Sequence, residues 1–511
     1  MREVEQYREL ELSFPAAGPA DIPRGVFRRG ERTVEVEGFF AGGDTGRIRF
    51  LADEEGLWTY EGKNGGGSEK GAFLCVKGQK ESRGVVRTSG TAFADAAGRR
   101  FLPFGTTCYA WIYQPGEIRK QTLRSLAESP FNKVRMCLFP KDMIYNEEEP
   151  PFFPYRRGED GRWNIGDPDP DFWEALEDGI RGLGDLGIEA DLILFHPYDR
   201  WGFSTMTKEE NLAHIRYCVA RLAAFPNVWW SLANEYDLMP GWTAEDWDAC
   251  GREVSRLDPW HHLISIHNCF EIFGRRDWMT HCSIQTGETK RALEFQKQYD
   301  LPVVIDECGY EGDIPFDWGN LSAFELVHRI WMGCMRGAFC THGETYWNKE
   351  NRLWWSKGGT LRGESVCRIA FLRRLLEALP EDLAPFVWQV DVDPNGKKQE
   401  GADTPFARAM MRLAPEERTR RIYEMIPMVL QNGDCRLQYL GRSCQKTLDV
   451  AAPGEGEFTA EIIDVWEMSV RRAVEKFSGS IRLELPGREG TAVLIRRRAE
   501  ESAEHRKEGK S

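Results

Sequence analysis

Residues 189–237 read EADLILFHPYDRWGFSTMTKEENLAHIRYCVARLAAFPNVWWSLANEYD, and this stretch decides the fold class. Two apolar runs, EADLILFHP (189–197) and VWWSLANE (228–235), flank a segment with helical periodicity. That segment opens on Thr207 and Glu210, the spacing of a capping box. Its apolar residues Leu212, Ile215, Val219 and Leu222 share one helix face. The unit is strand–helix–strand, and it recurs. Upstream lie FLPFGTTCYAW (101–111) and NKVRMCLF (132–139); downstream lie HLISIHNC (262–269), CSIQTG (282–287), PVVIDECG (302–309) and GAFCTHGETYW (337–347). Helical stretches such as SAFELVHRIWMGCM (322–335) separate them. Eight such units predict a (β/α)8 barrel, a fold of about 250 residues before insertions. The surplus falls mainly in one loop, residues 140–170, rich in Pro, Gly and aromatics: Phe152, Phe153, Tyr155 and Trp163.

The flanks read differently. Residues 1–84 alternate apolar and polar residues in ELELSF, RTVEVEGFF and GRIRFLAD between glycine-rich breaks, the pattern of a small β-sandwich. Residues 384–498 return to short strand-like runs: FVWQVDVD, FARAMMRL, IYEMIPMVL, CRLQYL, FTAEIIDVWEM, SIRLELPG and TAVLIRRR. The expected architecture is α/β: a TIM barrel over 85–383, flanked by two small β-sandwich domains. The charged segment 499–511 is expected to be a disordered tail.

Composition limits function. The chain has 511 residues, 41% hydrophobic, with 67 Lys+Arg against 81 Asp+Glu, a net charge of −14. Phosphate binding needs a basic face, so no nucleic-acid partner is expected. No apolar run reaches the roughly 18 residues of a membrane span, and MREVEQYRELELSF begins charged rather than as a secretory signal. The 13 cysteines are odd in number and form no CxxC, which reads as free thiols in a reducing, cytoplasmic setting. The nine histidines form neither HxH nor HExxH, so no metal and no cofactor is expected. A homo-oligomer is compatible with this composition. Fifteen of the 18 tryptophans fall between residues 85 and 383. Flat indole faces suit sugars, but a large barrel also needs bulky core residues, and composition leaves both readings open.

Catalytic groups of such barrels stand at the C-terminal ends of strands. The fourth run ends Ala233-Asn234-Glu235 and the seventh ends Ile305-Asp306-Glu307. Either glutamate alone could be a helix cap or a surface acid. Two carboxylates ending facing apolar strands match the acid and the nucleophile or base of glycoside hydrolysis. Alternation turns Asp306 away from its neighbour Glu307, as a structural residue. Tyr236 and Asp237 follow Glu235 and could line the site, whereas Trp229 and Trp230 lie inside the strand and belong to the core.

The segments VWWSLANEYD and VVIDECGYEG resemble the acid/base and nucleophile strands of clan A retaining glycoside hydrolases, the barrel enzymes that include cellulases, β-mannanases and β-galactosidases. The whole layout, with DEEGLWTYE closing the first β domain and EIIDVWEMSV and SGSIRLELPG in the last, resembles an apiosidase-like subgroup. The resemblance implies that Glu235 is the acid/base, Glu307 the nucleophile, and Asn234 a ligand of the sugar 2-hydroxyl. Arg135 corresponds to the clan's arginine that keeps the nucleophile ionised, and Trp347 to an aromatic platform. The clan's tyrosine beside the nucleophile is missing from the sixth strand, where CSIQTG offers Gln285 instead. His196, His267 and His342 end the third, fifth and eighth runs and are candidates to bind sugar hydroxyls or orient a glutamate. The implied activity is a retaining β-glycosidase on a carbohydrate substrate, exo-acting because loop 140–170 could close one end of the cleft. The alternatives are a non-catalytic carbohydrate-binding protein on the same scaffold and a transglycosylase.

Overall fold

The structure, a computed structural model, describes residues 1–78, 82–387 and 404–498. It divides into two compact units: one formed by Met1–Gly287, Gln296–Leu326 and Phe339–Val366, the other by Glu288–Phe295, Val327–Ala338 and the chain from Cys367 on.

The first unit opens with two antiparallel-rich sheets. One has five strands in the order Arg2–Glu5, Gly67–Val76, Gly56–Asn64, Arg24–Arg29, Arg32–Glu37; the other pairs Glu9–Pro15, Thr45–Leu51 and Phe39–Gly42. Period-two alternation buries Leu10, Leu12 and Phe14 on one face. Phe27 and Phe50, one from each sheet, stack with centroids 4.0 Å apart.

The rest of this unit is α/β. Five parallel strands run side by side: β1 (Gly105–Thr107), β2 (Lys133–Cys137), β3 (Glu189–Phe195), β4 (Val228–Ala233) and β5 (Ile264–Ser265). A second sheet holds β6 (Cys282–Gln285), β7 (Val303–Glu307) and β8 (Ala338–Cys340). Parallel bridges join the two sheets at both edges, His267 to Ser283 and Thr106 to His342, so the strand order returns on itself. Every residue of β2, β3 and β4 is buried, so apolar residues occupy both faces of each strand, interrupted by Lys133, Arg135, Glu189, Asp191 and Ser231. Between them lie helices α1 (Gly116–Ala127), α2 (Pro170–Asp185), α3 (Lys208–Leu222) and α4 (Ala244–Leu257). Thr207–Glu210 and Thr243–Asp246 form capping boxes at α3 and α4, and Asp169 caps α2 ahead of Pro170.

A polar cluster fills part of the space inside the strands. Lys133 Nζ donates to Asp191 and Asp306, each at 2.7 Å, while Ser283 and Thr341 hydroxyls donate to Asp306 at 2.6 and 2.7 Å. Asp306 is held ionised by these partners against its burial, far below the usual carboxylate range.

A second cluster joins the first two sheets to the helices. Arg49 donates to Glu177 at 2.6 Å and Glu11 at 2.8 Å, and Arg221 also pairs with Glu177. The arginines lie over the Phe39 ring at 5.0 and 4.9 Å.

In the second unit a six-stranded sheet runs Ala384–Pro385, Val429–Gln431, Cys435–Tyr439, Thr491–Arg497, Phe458–Asp464, Ser469–Phe477, and Thr447–Ala451 pairs with Ser480–Glu484. Val450, Phe458, Phe477, Leu483, Val493 and Ile495 make its core.

Several expectations change here. Most of FARAMMRL and the first four residues of IYEMIPMVL are helical, in Pro405–Met410 and Pro415–Met425, while the end of the second run enters the strand Val429–Gln431. Thr404 caps the first, a proline starts each, and Ala, Arg, Glu and Met are good helix formers. The strand-like run 386–393 lies outside the described residues from position 388 on, as does the tail 499–511. Loop 140–170 carries its own hairpin, Tyr155–Arg157 with Trp163–Pro168. The run 337–347 breaks into β8 and a separate strand Glu344–Thr345, so Trp347 lies beyond both. No disulfide joins the cysteines from Cys75 to Cys444. No described helix is long and apolar enough to cross a membrane, and no metal-binding cluster of His, Cys, Asp or Glu occurs among the described residues.

Candidate active site

β4 ends at Ala233, and the next two residues turn sharply. Glu235 sits at φ +51° and ψ +56°, a left-handed conformation that costs a non-glycine residue about 1–2 kcal/mol. Neighbouring backbone fixes the turn: Asn234 N–H donates to Phe195 O at 3.0 Å and Tyr236 N–H to His267 O at 2.9 Å. Glu307 is the last residue of β7.

The two carboxylates approach one another. The Gln285 amide, with its nitrogen turned inward, donates to Glu307 Oε2 at 3.3 Å and to Glu235 Oε1 at 3.1 Å. The opposite orientation would set its carbonyl oxygen against acceptors alone. The gap between those two oxygens is therefore no longer than two hydrogen bonds.

The remaining donors divide between the glutamates. Glu307 Oε1 accepts from the Tyr109 hydroxyl and from Arg135 Nη1 at 3.3 Å. Arg135 Nη1 also donates to Asn234 Oδ1 at 2.7 Å, and Tyr109 OH lies 3.1 Å from that same oxygen. Glu235 Oε2 accepts from Asn234 Nδ2 at 3.1 Å and from the Tyr198 hydroxyl. Arg135 is fully buried. Burial and the neighbouring Glu235 push the Glu307 carboxyl up, while Arg135, Lys141 and the Tyr109 hydroxyl pull it down.

The other expected residues lie in varied surroundings. His196 is buried with Nε2 3.2 Å from Phe139 O. His267 is buried with neither ring nitrogen hydrogen-bonded; its backbone carbonyl holds Tyr236. His342 is buried, stacked on Phe131 at 4.6 Å with Nδ1 2.9 Å from Thr106 Oγ1. Burial takes all three histidine pKa values down. Trp347 is 55% exposed, its backbone N–H on Asp313 at 2.7 Å. Asp237 accepts three backbone N–H bonds, from Cys269, Phe270 and Glu271 at 2.7–2.8 Å. It thereby fixes the loop that brings the Cys269 thiol beside Glu235; burial and that glutamate push the thiol up to about 12.

Sequence reasoning passed over Tyr109, Tyr198, Lys141 and Cys269. Both tyrosines lie at or just after the ends of apolar runs, so a search for phenols at every strand end finds them. Lys141 follows Pro140 in a loop and carries no such signal. It borders a cavity of about 550 Å³ lined also by Tyr113, Gln114, Glu149, Trp201 and Lys357.

Comparisons with known proteins agree with this layout. The family described as Apiosidase-like, catalytic domain matches residues 88–410. Domains of unknown function DUF5060 and DUF5605 match residues 3–64 and 425–496. The crystal structure of a candidate glycoside hydrolase from Bacteroides vulgatus ATCC 8482 is 32% identical, with TM-score 0.85, covering 97% of this chain and 100% of that one. A glycoside hydrolase family 5 protein from Bacteroides vulgatus ATCC 8482 shares the fold at 15% identity and TM-score 0.58, over 81% of this chain and 93% of its own. No curated protein matches.

Proposed function

Because this chain belongs to the Apiosidase-like, catalytic domain family, we propose that it is a retaining β-glycosidase built on a (β/α)8 barrel over 85–383, with β-sandwich domains at 1–84 and 384–498. The observation that carries the reading is the Gln285 amide spanning Glu235 and Glu307. A pair bridged by one amide suits the about 5–5.5 Å of retaining enzymes better than the roughly 6.5–9.5 Å that inversion requires.

Two buried carboxylates this close hold one proton between them. Arg135 touches Glu307 and not Glu235, which suits Glu307 as the nucleophile and Glu235 as the proton donor. Glu307 then attacks C1 of the sugar while Glu235 gives its proton to the leaving oxygen, and a covalent glycosyl-enzyme forms. Glu235 next takes a proton from water, which displaces Glu307 with configuration retained. Tyr109 fills the place of the strand-six tyrosine that is absent, and Gln285 adds a second donor. Asn234 bonds the 2-hydroxyl, and exposed Trp347 serves as a platform for the sugar face. His196, His267 and His342 shape the walls behind the reacting groups. Loop 140–170 walls the cavity beside Lys141, which favours exo action.

The test is a panel of aryl glycosides with wild type and Glu307→Ala. Wild type should release the phenol from at least one sugar. Glu307→Ala should lose turnover and regain it with azide, giving a glycosyl azide of the opposite anomer by NMR. Retained configuration in that product would transfer the nucleophile role to Glu235, and undiminished activity would remove the reading.

A further inference from the structure

Lys141 is 3% exposed, and its ammonium lies over three aromatic rings: Tyr109 at 3.7 Å, Tyr198 at 4.3 Å and Trp355 at 5.5 Å from the centroids. Tyr109 donates to Glu307 and Tyr198 to Glu235, so this cation stands between the two phenols that hold the two carboxylates. Among the described residues no acceptor is hydrogen-bonded to its nitrogen and no carboxylate pairs with it. Ring faces attract a cation by about 0.5–2 kcal/mol each, but they accept none of the three N–H bonds an ammonium offers. Lys141 borders the cavity of about 550 Å³, so a cation without an ion pair is presented to whatever enters there. A second donor beside it is also unanswered: the buried Trp355 indole N–H has no partner among the described residues.

Arg135 is answered by Glu307 at 3.3 Å and by the nearby Asp306 and Asp191, which leaves Lys141 as the cation of this site with no ion pair among the described residues. The acids along the neighbouring cavity do not cancel it. Glu148 is taken by Lys357 at 2.6 Å, Glu149 by Arg200 at 3.1 Å and by the Trp201 indole at 3.0 Å, and Glu350 shares its wall with Arg352.

We infer that Lys141 is a specificity-determining residue that selects sugars bearing one negative charge, a uronic acid or a sulfate monoester, for the reacting subsite. This deepens the proposed glycosidase reading and rests on it for the identity of the subsite.

The experiment is calorimetric titration of the full chain with methyl β-glycosides in gluco, galacto and manno series. Each series contains the neutral hexoside, the hexuronide, the hexuronide methyl ester and the 6-sulfate. In at least one series an anionic ligand should bind about tenfold or more tighter than both neutral ligands, and Lys141→Met should reduce that ratio to about one. The hexuronide and the sulfate arms identify which anion is meant. Equal or weaker binding of every anion, no binding of any anion, or a preference that survives in folded Lys141→Met would overturn the inference. If Lys141→Met does not fold, the wild-type comparison of hexuronide with its methyl ester decides alone. An enzyme that cleaves neutral aryl glycosides without anion preference would keep the glycosidase reading and lose this one. Anion-selective binding with no aryl glycoside cleaved would do the reverse.

Discussion

At the scale of single residues, the site is a set of donors sorted between two acids. Glu307 Oε1 receives Tyr109 and Arg135, while Glu235 Oε2 receives Tyr198 and Asn234. Such sorting separates two chemically identical groups into two roles. Tyr109→Phe removes one donor from Glu307 and leaves the packing of the ring. On an activated aryl glycoside its kcat should fall by about 10²-fold, the loss seen when one preorganised donor is deleted. Its Tm should stay near wild type, since Arg135 and Gln285 still reach the carboxylate. Full activity in this variant would show that the Tyr109 hydroxyl does not support Glu307. Glu235 and Glu307 could be picked out in the sequence because each closes a buried apolar run, where an acid needs a reason. Tyr109 could not be assigned to Glu307 that way, as 198 positions separate the partners.

At the scale of elements, short buried strands set the positions and ion clusters tie the layers. Glu177 on α2 is the one carboxylate shared by Arg49 and Arg221. Glu177→Gln would leave two buried guanidiniums sharing a neutral partner, at a cost of about 3–5 kcal/mol by the measure of broken buried pairs. The two arginines hold the Glu177 carboxyl below its ordinary value in spite of burial. Its contribution is thus fully present above the unfolded pKa of about 4.3 and is lost as pH falls below that toward the folded value. Urea midpoints for wild type and Glu177→Gln should differ clearly at pH 6 and converge as the pH drops through 4 toward 3. A gap that stays constant across that range would mean the charge on Glu177 contributes nothing. The helices at Pro405–Met410 and Pro415–Met425 teach a separate lesson at this scale. Apolar content made FARAMMRL look like a strand, but Thr404-Pro405 and Ala414-Pro415 are helix starts. In six residues the two periodicities are hard to separate.

At the scale of the whole molecule, the division into compact units does not follow the order of the chain. The second unit takes Glu288–Phe295 and Val327–Ala338 together with everything from Cys367 on. Within it His328 Nδ1 lies 2.8 Å from the Tyr439 hydroxyl, the Trp331 ring is 5.0 Å from that of Tyr439, and Arg336 donates to the Tyr423 and Ile426 carbonyls. A chain cut after residue 383 would strip all of these partners from one helix and expose Trp331, which is otherwise fully buried. Such a fragment should express as aggregate or bind a hydrophobic dye, as unpartnered apolar surface does. A soluble fragment with wild-type Tm and activity would show that the C-terminal segment is dispensable for this helix.

What the sequence by itself determined was the alternation of strand and helix, the acids that end buried runs, and the helix start at Thr207. Each depends on a few neighbouring residues and on the simple cost of burying charge. Only the tertiary structure decided that Tyr109, Tyr198 and Lys141 gather around Glu235 and Glu307, and that His267 and His342 are enclosed rather than open. Those facts depend on which strand ends meet after the two sheets join through His267–Ser283 and Thr106–His342. They depend also on which way each side chain leaves a strand of two to seven residues, where a shift of one residue exchanges inside for outside.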